Sequence, residues 1–293
     1  MKKLILIGCL LLVAGQIIHA QQSDFPKLTG PYLGQQPPGK IPLKFASGIL
    51  HDKGGVMAIT FSSDGRECFY TYRPPDGANR IMTTKEVKGH WVKPYIPDFI
   101  GKPTGDDFYF EPHITPNDSM LIYGSGISNT AIVRQKYALK TGTGWSDPQL
   151  LNLGIEFCMT VSVAANGNLY FTGGDGRIHF ARYVSGQYLA PEQLGLMDNR
   201  IEVAHPYIAP DESYIIYDSY TNAGNSNLFV NFRNKSGGWS ESIKLDSNIN
   251  TNAHEMVPFV TRDGKHLFFT RFSDEISIYW VSTKFIEELR PKE

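Results

Sequence analysis

A chain of 293 residues with 28 Lys and Arg against 29 Asp and Glu has a formal net charge of −1, and only 19% of its residues are charged. That share lies below the ~25% of an average domain. With no polybasic run, it excludes a nucleic-acid surface built on positive charge.

The first residues read as a targeting segment. Lys2 and Lys3 give a basic start, Leu4 to Ile18 an apolar run, and Ile18-His19-Ala20 a small-residue cleavage site ahead of Gln21. This is the anatomy of a secretory signal peptide over residues 1–20. A lipoprotein site at Leu6-Ile7-Gly8-Cys9 is set aside, because about four apolar residues precede the cysteine where 7 to 15 are expected. The expected protein is exported, periplasmic or extracellular, and acts as a monomer. No later stretch approaches the ~20 consecutive apolar residues of a spanning helix, so residues 21–293 read as one domain with no transmembrane segment.

Further along, one phrase recurs: an apolar strand, a tight polar turn, and a second strand rich in Tyr and Phe. The turns are Asp64-Gly65, Asn117-Asp118, Asn166-Gly167, Asp211-Glu212 and Asp263-Gly264, separated by 53, 49, 45 and 52 residues. A near-constant period in this range marks a repeat architecture. Each unit carries four strand signals, the last opening on a large aromatic at Trp91, Trp145, Tyr188 or Trp239, placed to cap a blade's outer edge against its neighbour. Cys68 and Cys158 fall in the first and third units, too far apart for a disulfide; two buried thiols are expected.

The fifth unit is incomplete, with strands at Met256 to Val260, His266 to Thr270 and Ile276 to Ser282 and no fourth. Ile41-Pro42-Leu43-Lys44-Phe45, before the first unit, resembles the missing strand. The reading is all-β: a single five-bladed β-propeller of four-stranded antiparallel blades, its last blade closed by an N-terminal strand at about residues 41–49. Such closure removes an exposed sheet edge.

The proline-bearing strands before these turns, Glu111-Pro112-His113-Ile114-Thr115-Pro116-Asn117-Asp118, His205-Pro206-Tyr207-Ile208-Ala209-Pro210-Asp211-Glu212 and Pro258-Phe259-Val260-Thr261-Arg262-Asp263-Gly264, resemble the WD40-like propeller repeats of the TolB type. Ile278-Tyr279-Trp280-Val281 is similar to the closing unit of exported bacterial members. The third unit departs most, with Ala164-Ala165-Asn166-Gly167 in place of the proline-bearing turn. The resemblance implies a propeller; its members include partner-binding modules, domains appended to peptidases and glycan-active proteins, so it does not set the function.

On the innermost strands, positions three, five and seven before the turn are apolar. Positions four and six (Thr60, His113, Ser162, Tyr207, Phe259; Ala58, Glu111, Thr160, His205, Val257) are mixed and are assigned to the channel side by strand alternation. Glu111, His113 and His205 there invite a two-histidine, one-carboxylate metal set; the competing account is a hydrogen-bonded channel lining. No tight ligand spacing supports a metal, and no cofactor is expected.

The loops entering these strands carry Asp107, Glu156, Glu202 and Glu255, candidates for acid and base work on a glycosidic bond or simply solvated loop carboxylates. Loops on the same face offer Arg73, Arg177, Tyr220, Arg271 and Phe272 as a binding rim of aromatic and Arg anchors. No nucleophile elbow, phosphate loop or dinucleotide fingerprint is present. The expected function is an interaction module binding a protein, peptide or glycan across one face; the alternative is a glycan hydrolase or lyase with carboxylates, with or without a metal, at the channel mouth.

Overall fold

The computed structural model describes residues 25–75, 77–105, 107–196, 200, 202–220 and 224–292. The expected signal peptide and cleavage site lie outside the described residues. Five antiparallel sheets form a five-bladed propeller. Blade one contains Gly55–Phe61, Glu67–Arg73, Arg80–Val87 and His90–Trp91. Blade two contains Asp107–Ile114, Met120–Ile127, Val133–Thr141 and Gln149–Leu150. Cys158–Val163, Leu169–Gly173, Ile178–Ala181 and Glu192–Gln193 make blade three. Val203–Ile208, Tyr214–Tyr220, Ser226–Phe232 and Ile243–Lys244 make blade four. Blade five has His254–Val260, His266–Phe272 and Ile276–Ser282, and its outermost strand is Leu43–Lys44.

The closing strand pairs Leu43 with Trp280 and Lys44 with Tyr279. Its next residue, Phe45, is buried edge-on to Phe61 of blade one and to Phe268 and Trp280 of blade five. One ring thus welds the first blade to the last. Residues ahead of it are also tied down: Trp91 takes the Leu28 carbonyl with its backbone N–H at 2.9 Å and the Gly30 carbonyl with its indole N–H at 2.7 Å, and Leu33 is fully buried.

The turn chemistry is repeated in detail. At each turn the first residue's side chain accepts the backbone N–H two residues on, at Arg66, Ser119, Asn168, Ser213 and Lys265. The second, Gly65, Asp118, Gly167, Glu212 or Gly264, has positive φ. Short polar side chains and residues tolerant of the left-handed region suit these positions.

Two expectations are corrected. In blades two to four the capping aromatic does not lie in the outermost strand: Trp145 sits in a hairpin, opposite Lys140, Tyr188 in a second, opposite Tyr183, and Trp239 in a bridge with Arg233. The chain folds back there before its short edge strand forms. The capping role itself holds for Trp145, which packs against Phe69 of the preceding blade at 5.7 Å.

The second correction concerns strand alternation. Every innermost strand has a bulge six residues before its turn, where Ala58, Glu111, Thr160, His205 and Val257 all have positive φ. Met57 faces Thr71 while Ile59 faces Tyr70, so the extra residue moves position seven onto the opposite face from position five. In blades two, four and five the bulge is followed by Pro112, Pro206 and Pro258; a residue without an N–H is tolerated in a sheet where the ladder is already interrupted.

Candidate functional site

The bulges govern the channel. An innermost strand presents an unpaired backbone edge to the ring's centre, and buried N–H groups there need acceptors. Those of Ala58, Glu111 and His205 donate to the Thr270, Thr71 and Thr172 hydroxyls of the preceding blade, at 3.0, 2.7 and 2.9 Å. Val257 N–H donates instead to Asp218 Oδ1 at 3.0 Å. Between blades two and three the equivalent position is Gly124, and the link runs through side chains, with the Thr160 hydroxyl donating to Glu111.

A second tier lies four residues before the turns. Thr60, His113 and Ser162 accept the N–H groups of Ile114, Val163 and Ile208 from the following blade at 3.1, 3.2 and 3.0 Å. Tyr207 and Phe259 complete the tier with rings 6.1 Å apart. The space enclosed by the bulge residues, about 20 Å³, is water-sized.

This geometry separates the proposed metal set. His113 uses Nε2 as an acceptor for Val163, and burial pushes its pKa down to about 4, keeping the ring neutral. His205 instead joins Glu111 and Asp218: Nδ1 lies 2.8 Å from Asp218 Oδ1, and Nε2 is 3.6 Å from Glu111 Oε1. Burial opposes its charge, but Asp218 and then Glu111 prevail and carry the pKa up to about 9. Burial raises the Glu111 pKa, with His205 and Thr160 opposing. Among the described residues, no group of three or more His, Cys, Asp or Glu side chains is arranged to hold a metal ion. Asp218 was not singled out in the sequence, although an acid among the strand formers of Tyr-Ile-Ile-Tyr-Asp-Ser-Tyr is a visible anomaly.

The loop carboxylates lie in different settings. Glu255 is fully buried; it pairs with Arg271 at 2.8 Å and accepts the backbone N–H and hydroxyl of Thr251 at 3.0 and 2.7 Å. Glu156 is exposed, while Asp107 and Glu202 are half-buried. Glu202 is close enough to act electrostatically on both His205 and Tyr220.

The rim residues likewise divide. Besides Glu255, Arg271 binds the Ile249 carbonyl at 3.0 Å and lies 4.3 Å over the Tyr279 ring, so it is committed within blade five. Arg177 donates to the Arg200 carbonyl at 2.7 Å. Arg73 is exposed, and Tyr220 is 37% exposed with its ring edge-on to His254 at 5.9 Å. Phe272 is half-buried, opposite His254 across the strands. Tyr220, Phe272, His254 and Glu202 thus gather at the upper mouth between blades four and five. Cys68 and Cys158 are both free and buried, and burial pushes both thiols well above their usual range.

No protein-family model and no curated protein matches the chain. Solved structures do. TolB of Agrobacterium tumefaciens superposes with a TM-score of 0.50 at 14% identity, over 78% of this chain and 76% of that one. The catalytic domain of an α-L-arabinofuranosidase of Coprinopsis cinerea gives 0.53 at 11% identity, over 87% and 96%. An endo-arabinase of Bacteroides thetaiotaomicron gives 0.53 at 13%, over 88% and 99%. At such identities the likeness establishes the propeller fold. Among the described residues no helix is long and apolar enough to cross a membrane.

Proposed function

We propose that this is an exported, non-catalytic binding module that holds a glycan across its upper face, around Tyr220, Phe272, Arg73 and Glu202, without a metal. One observation carries the reading: the buried carboxylates beneath that face are already engaged, Glu255 by Arg271 and Thr251, Glu111 by Thr160 and His205, and Asp218 by His205 and the Val257 N–H. Paired acid and base groups must reach the scissile bond from either side. Held this way, Glu111 and Asp218 join neighbouring blades and Glu255 braces blade five, while the upper face keeps an aromatic, a cation and a half-buried acid for recognition. The end-to-end superposition on two proteins named for acting on arabinose-containing glycans agrees with a sugar ligand.

A hydrolytic reading has one observation in its favour: Glu202 lies at the mouth over the buried His205–Asp218 pair. Calorimetric titration with arabinan, xylan and glucan oligosaccharides, with and without EDTA, followed by a reducing-end assay, separates the two. Saturable, EDTA-insensitive binding with no new reducing ends is expected. Turnover abolished by Glu202→Gln would establish the enzyme.

A further inference from the structure

A cavity of about 430 Å³ lies apart from the channel. It lies at the seam where the ring closes, between the connection from the closing strand to the first blade and the third strand of the last. Lys44, Ser47, His51, Lys53, Glu275 and Ser277 contribute its polar lining. The volume falls within the range of small-molecule sites.

Three features define what fits. His51 lies flat on Tyr72, ring centroids 3.5 Å apart and planes 19° from parallel, which fixes its orientation. Its Nδ1 accepts the Lys53 N–H at 2.9 Å, and burial lowers its pKa, so the neutral ring carries its proton on Nε2 as a donor. The charged lining is balanced: Lys44 is paired with Glu275, and Asp52 lines the cavity with Lys53. A net anion or cation gains nothing overall from such a wall. Hydroxyl groups both donate and accept, so they satisfy ammonium, carboxylate, imidazole and serine together.

We propose that this seam cavity is a second binding site, for one uncharged saccharide unit, seated against His51 and hydrogen-bonded by Lys44, Glu275 and Ser277. The inference rests on the reading of the protein as a glycan-binding module and assigns part of the ligand to a place apart from the channel mouth. Because the closing segment, the last blade and the first blade all line the cavity, an occupant stabilises ring closure and raises the melting temperature.

The test uses the full chain and neutral probes: D-glucose, D-galactose, D-xylose and L-arabinose, with glucuronate and glucosamine as charged controls, followed by saturation-transfer NMR and thermal melting. At least one neutral sugar should bind with a Kd of about 1 to 10 mM and raise the melting temperature, and both charged analogues should bind more weakly. His51→Ala and Glu275→Gln should weaken that sugar at least tenfold while oligosaccharide binding at the mouth survives; Tyr220→Ala should do the reverse. If no neutral sugar binds, if the charged analogues bind better, or if His51→Ala leaves binding intact, the seam site is wrong. Persistence of Tyr220-dependent oligosaccharide binding would then show that the module reading stands without it.

Discussion

The channel and the upper mouth are built from the same kinds of residue, yet they treat polar groups in opposite ways. In the channel, the imidazoles of His113 and His205 and the carboxylates of Glu111 and Asp218 bond to a neighbouring strand or blade. At the mouth, Tyr220 is exposed and Glu202 is half-buried. A five-bladed ring is narrow, so side chains at its centre are close enough to satisfy one another and the free strand edges. The difference teaches that polar residues in a propeller channel can be cohesion, and that recognition belongs where side chains remain open to a ligand.

The comparison breaks most visibly if a channel partner can be removed at little cost. Asp218→Ala strips His205 of its closest counter-charge and Val257 of its acceptor, and removing one member of a buried pair costs about 3 to 5 kcal/mol. Urea unfolding should show a loss of that order. A loss under about 1 kcal/mol would mean that the cluster is not cohesive. Phe45→Ala, at the weld between first and last blades, should cost a similar 3 to 5 kcal/mol; an unchanged midpoint would contradict closure by this segment.

The two channel histidines sharpen the same contrast by pH. His205 has a folded pKa of about 9, above the unfolded value of about 6.5. Its stabilising contribution is complete below pH 6.5 and is lost as pH rises toward 9. His113 has a folded pKa of about 4, so the unfolded chain binds its proton first and stability falls as pH drops from about 6.5 toward 4. Melting temperature against pH should therefore decline on both sides. His205→Gln should flatten the alkaline limb and His113→Gln the acid limb; retention of a limb in its own variant would sink that assignment.

Much of this was legible in the sequence, for reasons that can be named. The Asx turns at Asp64, Asn117, Asn166, Asp211 and Asp263 need specific side chains, so they left a mark every blade. The closing strand showed itself because blade five lacked a partner. The bulges did not: Ala58, Glu111, Thr160, His205 and Val257 share a backbone conformation but no residue type, and only the prolines after three of them hinted at an interrupted ladder. Without the bulge, alternation put Glu111, His113 and His205 on one side; with it, His113 acts a tier below the other two. The pairing of Glu255 with Arg271 was hidden similarly, since two residues picked separately as catalyst and rim are cross-strand neighbours. The seam cavity had no signal, because its walls, the His51–Tyr72 stack beside blade one and Glu275 to Ile278 of blade five, lie at opposite ends of the chain.

The smallest effect on stability is expected at the mouth. Tyr220→Ala gives up one edge contact with His254 and should shift unfolding by no more than about 1 kcal/mol. Its effect on ligand binding is the most direct test of the central claim. Calorimetric titration of the wild type and Tyr220→Ala with one oligosaccharide, followed by product analysis of the same samples, should show saturable binding in the first, at least tenfold weaker binding in the second, and intact oligosaccharide in both. Equal affinity in the two proteins, or cleaved sugar in the wild-type cell, would contradict the account.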